Sequence, residues 1–436
     1  MRGRLHRMIK TLFRTRYSMI DGTYLNNAGD AERLQPHHIG LAAMLIFVAM
    51  FEGYDVSLTA VVLPYAEKTF RAGTAMIGNA LAVIAMGSIA AWLVVRLADR
   101  YGRRPILLAA STGFGLTSLA TILVPNLAAY VVIQFVGRCL MVTEIAIAYV
   151  VLSESLPAQS RGRVNGIFGS FGSFGAALPF FLIKPALGTA LGWKLLFVVG
   201  AAPLLAVPFL LVWLRETPAF LRAQQAKVPR LTPGGELREL TSPGLRKRFA
   251  AMASLWFIIN FASASAGLFF TLYAVHERHW APTDFLHIAP AVMAGVFSGN
   301  IITGFLMDLL GRRLTITIML VALGCLTQIG YTATGWWTVA ASWVGIQSAM
   351  GMWAAAFTMT AELFPTHLRG AANGWCNSLV GRWGFVIAPA IIGALSRGTG
   401  SISSAVFMLG FVAYLGVPIV WLFIPETRAA QLAKTP

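Results

Sequence analysis

Glu52 and Asp55 stand three residues apart in the stretch FEGYDVSLTA, and no other charge falls between Ile39 and Tyr65. That run is long enough to cross a bilayer as a helix, and a spacing of three puts both carboxyls on one helix face. A charged acid at the centre of a membrane helix costs roughly 2.5–3.5 kcal/mol and two cost about 5–7, unless they are paired, hydrated or protonated. Two arginines are available as partners, Arg138 and Arg382, each midway along another apolar run. Removal from water favours the neutral carboxyl, whereas a guanidinium beside it favours the ionised one. A carboxylate that loses its arginine to an arriving anion is therefore ready to take a proton, and this competition is a means of coupling protons to cargo. The plainer alternative is a static ion pair that holds helices in register, with Arg138 wholly occupied by Glu52. Glu144, six residues beyond Arg138 and off its face, reads either as a proton relay or as half of a structural pair.

The elements that must position these groups follow from composition. The chain of 436 residues is 57% hydrophobic and 12% charged, with a mean hydropathy of +0.69. A soluble enzyme of this length needs far more charged surface. Apolar runs of spanning length recur twelve times. They cover roughly 39–65, 74–98, 105–123, 126–152, 164–186 and 195–214, then 248–274, 284–309, 314–332, 336–361, 371–396 and 402–424. The expected class is an all-α membrane protein with a basic tail (1–38), a six-helix bundle (39–214), a charged, proline-containing linker (215–247), a second six-helix bundle (248–424) and a short tail (425–436). The net charge of +17 invites a nucleic-acid partner, but its distribution argues otherwise. The loops on one side hold only Lys68, Arg71, Lys184, Lys194, Arg278 and Arg397, while most other basic residues lie in the tails, linker and opposite loops. By the positive-inside rule both termini are cytoplasmic, and a bacterial inner membrane is the expected location. The basic tail, with no apolar core before Ile39, does not read as a cleaved signal. Cys139, Cys325 and Cys376 fall within predicted helices without paired spacing, so neither disulfide nor zinc site is expected.

The chain also repeats itself. SESLPAQSRGRVNG after the fourth helix is answered by TAELFPTHLRGAANG after the tenth, with Glu154, Pro157, Arg161, Gly162, Asn165 and Gly166 matched 208 positions on by Glu362, Pro365, Arg369, Gly370, Asn373 and Gly374. LADRYGRR after the second helix is answered by LMDLLGRR after the eighth, pairing Asp99, Gly102, Arg103 and Arg104 with Asp308, Gly311, Arg312 and Arg313. A half-chain repeat of this kind implies two like bundles in the same membrane orientation. These loops resemble the signature of the major facilitator superfamily, glycine-x-leucine-x-aspartate followed by glycine and two basic residues. The second copy fits from Gly304 to Arg313, and the first has Val95 in place of the first glycine. EGYDVSLTAVVLP resembles the first-helix motif D-G-Y/F-D of aromatic-acid/proton symporters, with Glu52 for the first aspartate. Gly381-Arg382-Trp383-Gly384 with Ala388-Pro389 is similar to the eleventh-helix motif G-R-x-G-x-x-x-G-P of the same relatives.

The resemblance implies transport by alternating access, with the first and fourth helices of each half facing a central cavity. The residues themselves assign Asp55 and Glu52, with Glu144 as a candidate relay, to proton coupling and Arg382, with Arg138, to holding an anion; the resemblance implies that Asp99, Arg103, Arg104, Glu154, Arg161, Asp308, Arg312, Arg313, Glu362 and Arg369 latch the cytoplasmic side. Spacing alone shows only clustered charge there. Trp353, Trp375, Trp383 and Phe261 are candidates to flank a substrate ring, or else packing and interfacial anchors. Asn260, Asn300, Gln347 and Asn377 are amides able to bond a polar ligand or a neighbouring helix. Phe168, Phe171 and Phe174 alternate with glycines that permit close helix packing. No phosphate-cradling G-x-x-x-x-G-K-S/T loop and no G-x-S-x-G elbow occurs, and HERH at 276–279 is one residue short of a zinc motif and reads as a loop. The chain is expected to be a monomeric, cofactor-free and metal-free symporter, not an enzyme, that takes up a small organic anion, an aromatic or related carboxylate, with protons. The alternative is a proton-driven exporter of drugs or metabolites, against which AALPFFLIKPAL lacks the glycine-proline-x-x-glycine-glycine signature of such exporters. A transport-dead sensor would require a large soluble domain.

Overall fold

The computed structural model describes residues 36–155, 158–225, 232–365 and 368–426, and among them all regular structure is helical. The first half comprises α1 (Pro36–Phe70), α2 (Thr74–Tyr101), α3 (Arg103–Ala120), α4 (Leu127–Ser155), α5 (Ala158–Leu187) and α6 (Gly192–Trp213). The second comprises α7 (Arg246–His276), α8 (Pro282–Leu310), α9 (Arg312–Thr332), α10 in two pieces (Trp336–Ala349 and Met352–Leu363), α11 (Arg369–Thr399) and α12 (Ile402–Phe423). Two short helices, Pro218–Gln225 and Pro233–Leu240, lie in the linker. Of the basic tail (1–38), positions 1–35 lie outside the described residues.

Ten of these helices are long and apolar enough to cross a membrane. The other two of the twelve form as helices but fall short by that measure. Among the described residues the apolar part of α5 runs from Phe174 to Leu187, and α10 is interrupted between Ala349 and Met352. α1 runs five residues past the expected end at Tyr65, since Glu67 and Lys68 sit where the helix meets the polar boundary and need not be excluded from it.

Within the first half α1 lies along α5, and α4 packs on both α2 and α3; within the second, α9 lies along α10 and α7 along α11. Two seams join the halves, α2 against α11 and α5 against α8, where Phe180 and Phe285 meet with ring centroids 6.3 Å apart. Buried side chains from both halves merge into one apolar cluster. The two ends of the molecule differ. At one end the arginine-rich turns α2–α3 and α8–α9 gather; this is the basic end. At the far end the last piece of α7, Phe270–His276, closes against α1.

Irregular backbone interrupts α6 in the first half and α7, α10, α11 and α12 in the second. The most pronounced case is α11, which runs as a π-helix over Gly374–Gly381, so that the Arg382 N–H bonds to the Asn377 carbonyl at 2.9 Å. Such π-turns are rare and recur at functional sites, because they rotate the side chains that follow them. This one immediately precedes Arg382.

Candidate functional site

α1 and α4 bring Asp55 and Arg138 together. Asp55 is buried, and its Oδ2 lies 3.4 Å from the Arg138 guanidinium. A second Arg138 nitrogen donates to Thr59 Oγ1 at 2.9 Å, and that hydroxyl donates to the Asp55 carbonyl at 3.1 Å. Thr59 follows Asp55 by one helical turn, so it shares the face that meets Arg138. The partner of Arg138 is thus Asp55 and not Glu52, which corrects the pairing considered from sequence. Thr59 was missed there, although a hydroxyl four residues after a buried acid is a legible signal.

Glu52 is half-buried on α1, with its carboxyl beside Gly172 of α5. It lies within electrostatic range of Arg382, Arg138 and Asp55, but none of them approaches it within ion-pair distance. Glu144 on α4 is buried among apolar side chains, beside Ser111 of α3 and within range of Glu52, and its Oε1 has no hydrogen-bond partner among the described residues. Glu144, Glu52, the Asp55–Arg138 pair and Arg382 are therefore near neighbours linking α4, α1 and α11.

Arg382 has a different environment. Its guanidinium lies over the rings of Trp353 (5.4 Å to the centroid) and Phe385 (5.8 Å), and among the described residues its Nε has no hydrogen-bond partner and no carboxylate touches it. A guanidinium in that setting presents planar donors to an incoming carboxylate, with aromatic faces beside them. The flanking glycines explain how it gets there. A Cβ on Gly384 would lie 2.5 Å from the Phe261 nitrogen and 2.6 Å from the Phe257 carbonyl, so only glycine lets α11 press its backbone onto α7.

The other predicted contacts divide. Trp353 stands beneath Arg382 and donates its indole N–H to Ser263 Oγ at 3.3 Å. Asn260 and Asn377 are buried against one another, with the Asn260 amide donating to the Trp256 carbonyl at 2.7 Å and to Asn377 Oδ1 at 3.5 Å; they join α7 to α11, and Asn260 Oδ1 has no partner among the described residues. Asn300 donates to its own helix at Val296. Trp383 is 42% exposed and shares an exposed stripe with Ala394 and Arg397, and Phe261 packs on Phe257. Gln347 is half-buried in α10, Phe171 and Phe174 are exposed, and the side chain of Phe168 lies outside the described residues. Trp375 donates to Glu236 of the linker, which also holds Arg96 of α2. Among the described residues no three His, Cys, Asp or Glu side chains are grouped to hold a metal ion.

The repeated loops form two equivalent clusters at the basic end. Arg103 pairs with Glu154 at 3.2 Å, and Arg312 meets Glu362 through two nitrogens at 3.2 and 3.0 Å. Gly102 and Gly311, at φ +108° and +87°, make the sharp turns that open α3 and α9, a backbone region where L-residues are strained. Glu216 accepts the N–H groups of Arg103 and Arg104, and Glu426 accepts those of Arg312 and Arg313. Neither glutamate was singled out from sequence, yet R-E-T at 215–217 and P-E-T at 425–427 are 210 positions apart and mark the same place in each copy. Each cluster ties helices of one half together and does not bridge the halves. Arg369 donates to the Phe364 carbonyl at 3.4 Å. The side chains of Asp99, Arg161 and Asp308 lie outside the described residues.

Comparison with known proteins agrees with this architecture. The chain is 26% identical over 396 residues to a probable 4-methylmuconolactone transporter of Cupriavidus pinatubonensis, covering 87% of this chain and 89% of that one. It is 26% identical to the 3-(3-hydroxy-phenyl)propionate transporter of Escherichia coli (89% and 95% covered) and 26% identical to a gallate transporter of Pseudomonas putida (89% and 90%). Among solved structures it resembles the inward open xylose transporter XylE of E. coli, with a TM-score of 0.71 at 16% identity over 91% of this chain and 98% of that one. The model for the Major Facilitator Superfamily matches residues 45–298 and 252–436. With that match, the helical architecture and the transporters it resembles, the chain is a membrane transporter belonging to the Major Facilitator Superfamily.

Proposed function

We propose that this transporter takes up a small organic anion, an aromatic or related carboxylate, together with protons. The observation that carries the reading is Arg382: a cation immediately after the π-turn of α11, flanked by Trp353 and Phe385 and touched by no described carboxylate, with Glu52 within electrostatic range of it. The carboxylate of the substrate pairs with Arg382 and its planar body lies against the rings. An anion there repels Glu52 and withdraws the electrostatic support of the arginine, so Glu52 binds a proton. Asp55 completes the coupling by exchanging Arg138 for a proton as the halves rock, and Glu144 passes protons between Glu52 and the cytoplasmic side. Similarity to proteins named as gallate, hydroxyphenylpropionate and muconate transporters supports the carboxylate class, and the structural likeness to a D-xylose-proton symporter is consistent with the fold this requires.

In this reading the basic end is cytoplasmic, both termini lie there, the membrane is the bacterial inner membrane and the working unit is the monomer. The paired clusters of Arg103 and Arg312 brace that face through the cycle. The test is uptake of a panel of labelled aromatic and aliphatic carboxylates into proteoliposomes, with and without an imposed inward proton gradient. Accumulation above equilibrium only with the gradient is expected. Accumulation driven equally well by sodium, or export of every compound transported, would overturn the reading.

A further inference from the structure

At the far end of the molecule, Glu67 of α1 and His276 of α7 meet across the two halves, with the imidazole Nε2 3.2 Å from the carboxylate Oε2. Among the described residues this is the ion pair that runs directly from a helix of one half to a helix of the other; Asp55–Arg138, Arg103–Glu154 and Arg312–Glu362 stay within a half, and Arg96–Glu236 joins α2 to the linker. We propose that Glu67 and His276 form a proton-sensitive latch that holds the far face of the transporter shut.

Three features of the geometry support this. Glu67 is largely buried, its Oε1 accepts from Thr74 at 3.3 Å, and its Oε2 accepts no hydrogen bond by strict geometry, so His276 is the group placed to satisfy it. The His276 side chain is 44% exposed, so water at that face supplies its proton. Cavities of about 450 and 300 Å³ border it, one lined by Lys68 of α1 and Arg71 just beyond that helix, the other by Arg397 of α11 and Glu277. The other charged groups around the imidazole are accounted for. Glu277 is held by the N–H groups of Ile402 and Ser403 at the start of α12, and Arg278 donates to the Tyr273 hydroxyl. Lys68, Arg71 and Arg397 make no ion pair with Glu67. With the imidazole neutral, the contact is at most an ordinary hydrogen bond. With it protonated, the same contact becomes a charge-assisted bond. The latch therefore tightens when the imidazole takes up a proton and loosens when it gives that proton up.

The test is thiol accessibility, which needs no substrate, so its failure would leave the transport reading untouched. Ser396 is buried on α11 and lines the cavity beside His276, and Ser396→Cys is close to isosteric. Purified protein carrying Ser396→Cys is labelled with a polar maleimide at about pH 5.5 and about pH 8, the span over which histidine changes charge. The reaction is read at that peptide by mass spectrometry. Adding Glu67→Gln or His276→Gln is expected to speed labelling about three- to fivefold at the lower pH, the factor that a partly exposed ion pair supplies. Taking each rate relative to the Glu67→Gln protein cancels the thiol's own pH dependence, and this advantage is expected to shrink toward one at the higher pH. His276→Lys, charged at both values, is expected to keep labelling slow at both. Equal rates with and without Glu67→Gln at the lower pH would overturn the latch. A His276→Lys protein with the parent's pH dependence would overturn histidine as the sensor.

Discussion

In the first half Arg103 meets Glu154 and Glu216 caps the α2–α3 turn; in the second Arg312 meets Glu362 and Glu426 caps the α8–α9 turn. At the middle of the membrane this equivalence disappears. Counted 208 residues on, Glu52 corresponds to Asn260, Asp55 to Ser263 and Arg138 to Ile346. The first half carries the acids and a paired arginine, while the second carries one arginine among aromatic rings and amides. Duplication kept what each bundle needs in order to hold its own loops together. On the proposed function, telling a proton from its cargo requires the halves to differ, because two identical charge sets could not be exchanged one for the other.

That contrast can be broken experimentally. The largest expected effect is Asp55→Asn, which removes a titrating group from the half assigned to protons. Gradient-driven accumulation in proteoliposomes is expected to disappear while exchange of substrate across the membrane persists; normal accumulation would remove Asp55 from the coupling role. Next is Arg382→Ala in the half assigned to cargo. Loss of the carboxylate's main partner is expected to weaken substrate binding by about 30-fold or more, in line with roughly 2–5 kcal/mol for a buried charged contact, as read by isothermal titration or the KM for uptake. Arg382→Lys keeps the charge but not the planar fork, and should fall between the two. The loops sharpen the comparison from the other side. Glu216→Gln and Glu426→Gln each weaken a pair of charge-assisted backbone bonds, so both should lower thermal stability by a similar amount, about 2–5 °C in detergent. A large drop in one and none in the other would show that the two copies are not equivalent. The smallest effect is expected for Trp383→Ala, since that ring lies on an exposed stripe; stability should change by less than about 0.5 kcal/mol and uptake by less than twofold.

Much of this was legible in the primary structure, for identifiable reasons. Apolar runs of spanning length leave the backbone no alternative to helix in lipid, and the loop repeat named the family before any coordinates. The buried acids were conspicuous because every charge in an apolar helix is. Pairings were less legible. Arg138 bonds Asp55 and not Glu52 because the choice depends on how α4 is rotated against α1, and one residue along a helix turns a side chain by about 100°. Asn260 and Asn377 read as amides able to bond a ligand or a neighbouring helix, and the structure sets them against one another. His276 read as part of a loop and proved to bridge the halves, since no local pattern reports which distant helix end will stand opposite.

Sequence alone determined the twelve-helix plan, the duplication, the basic end and the set of charges that had to be accommodated in the membrane, because these follow from composition and periodicity along one chain. Tertiary structure decided which charges pair and which stand apart: Asp55 with Arg138, Glu67 with His276, and Arg382 beside rings instead of an acid. Pairing depends on distances of 3–4 Å between helices far apart in the chain, set by glycine contacts such as Gly384 on α7 and by the π-turn of α11. Those distances are properties of packing, which no single segment carries.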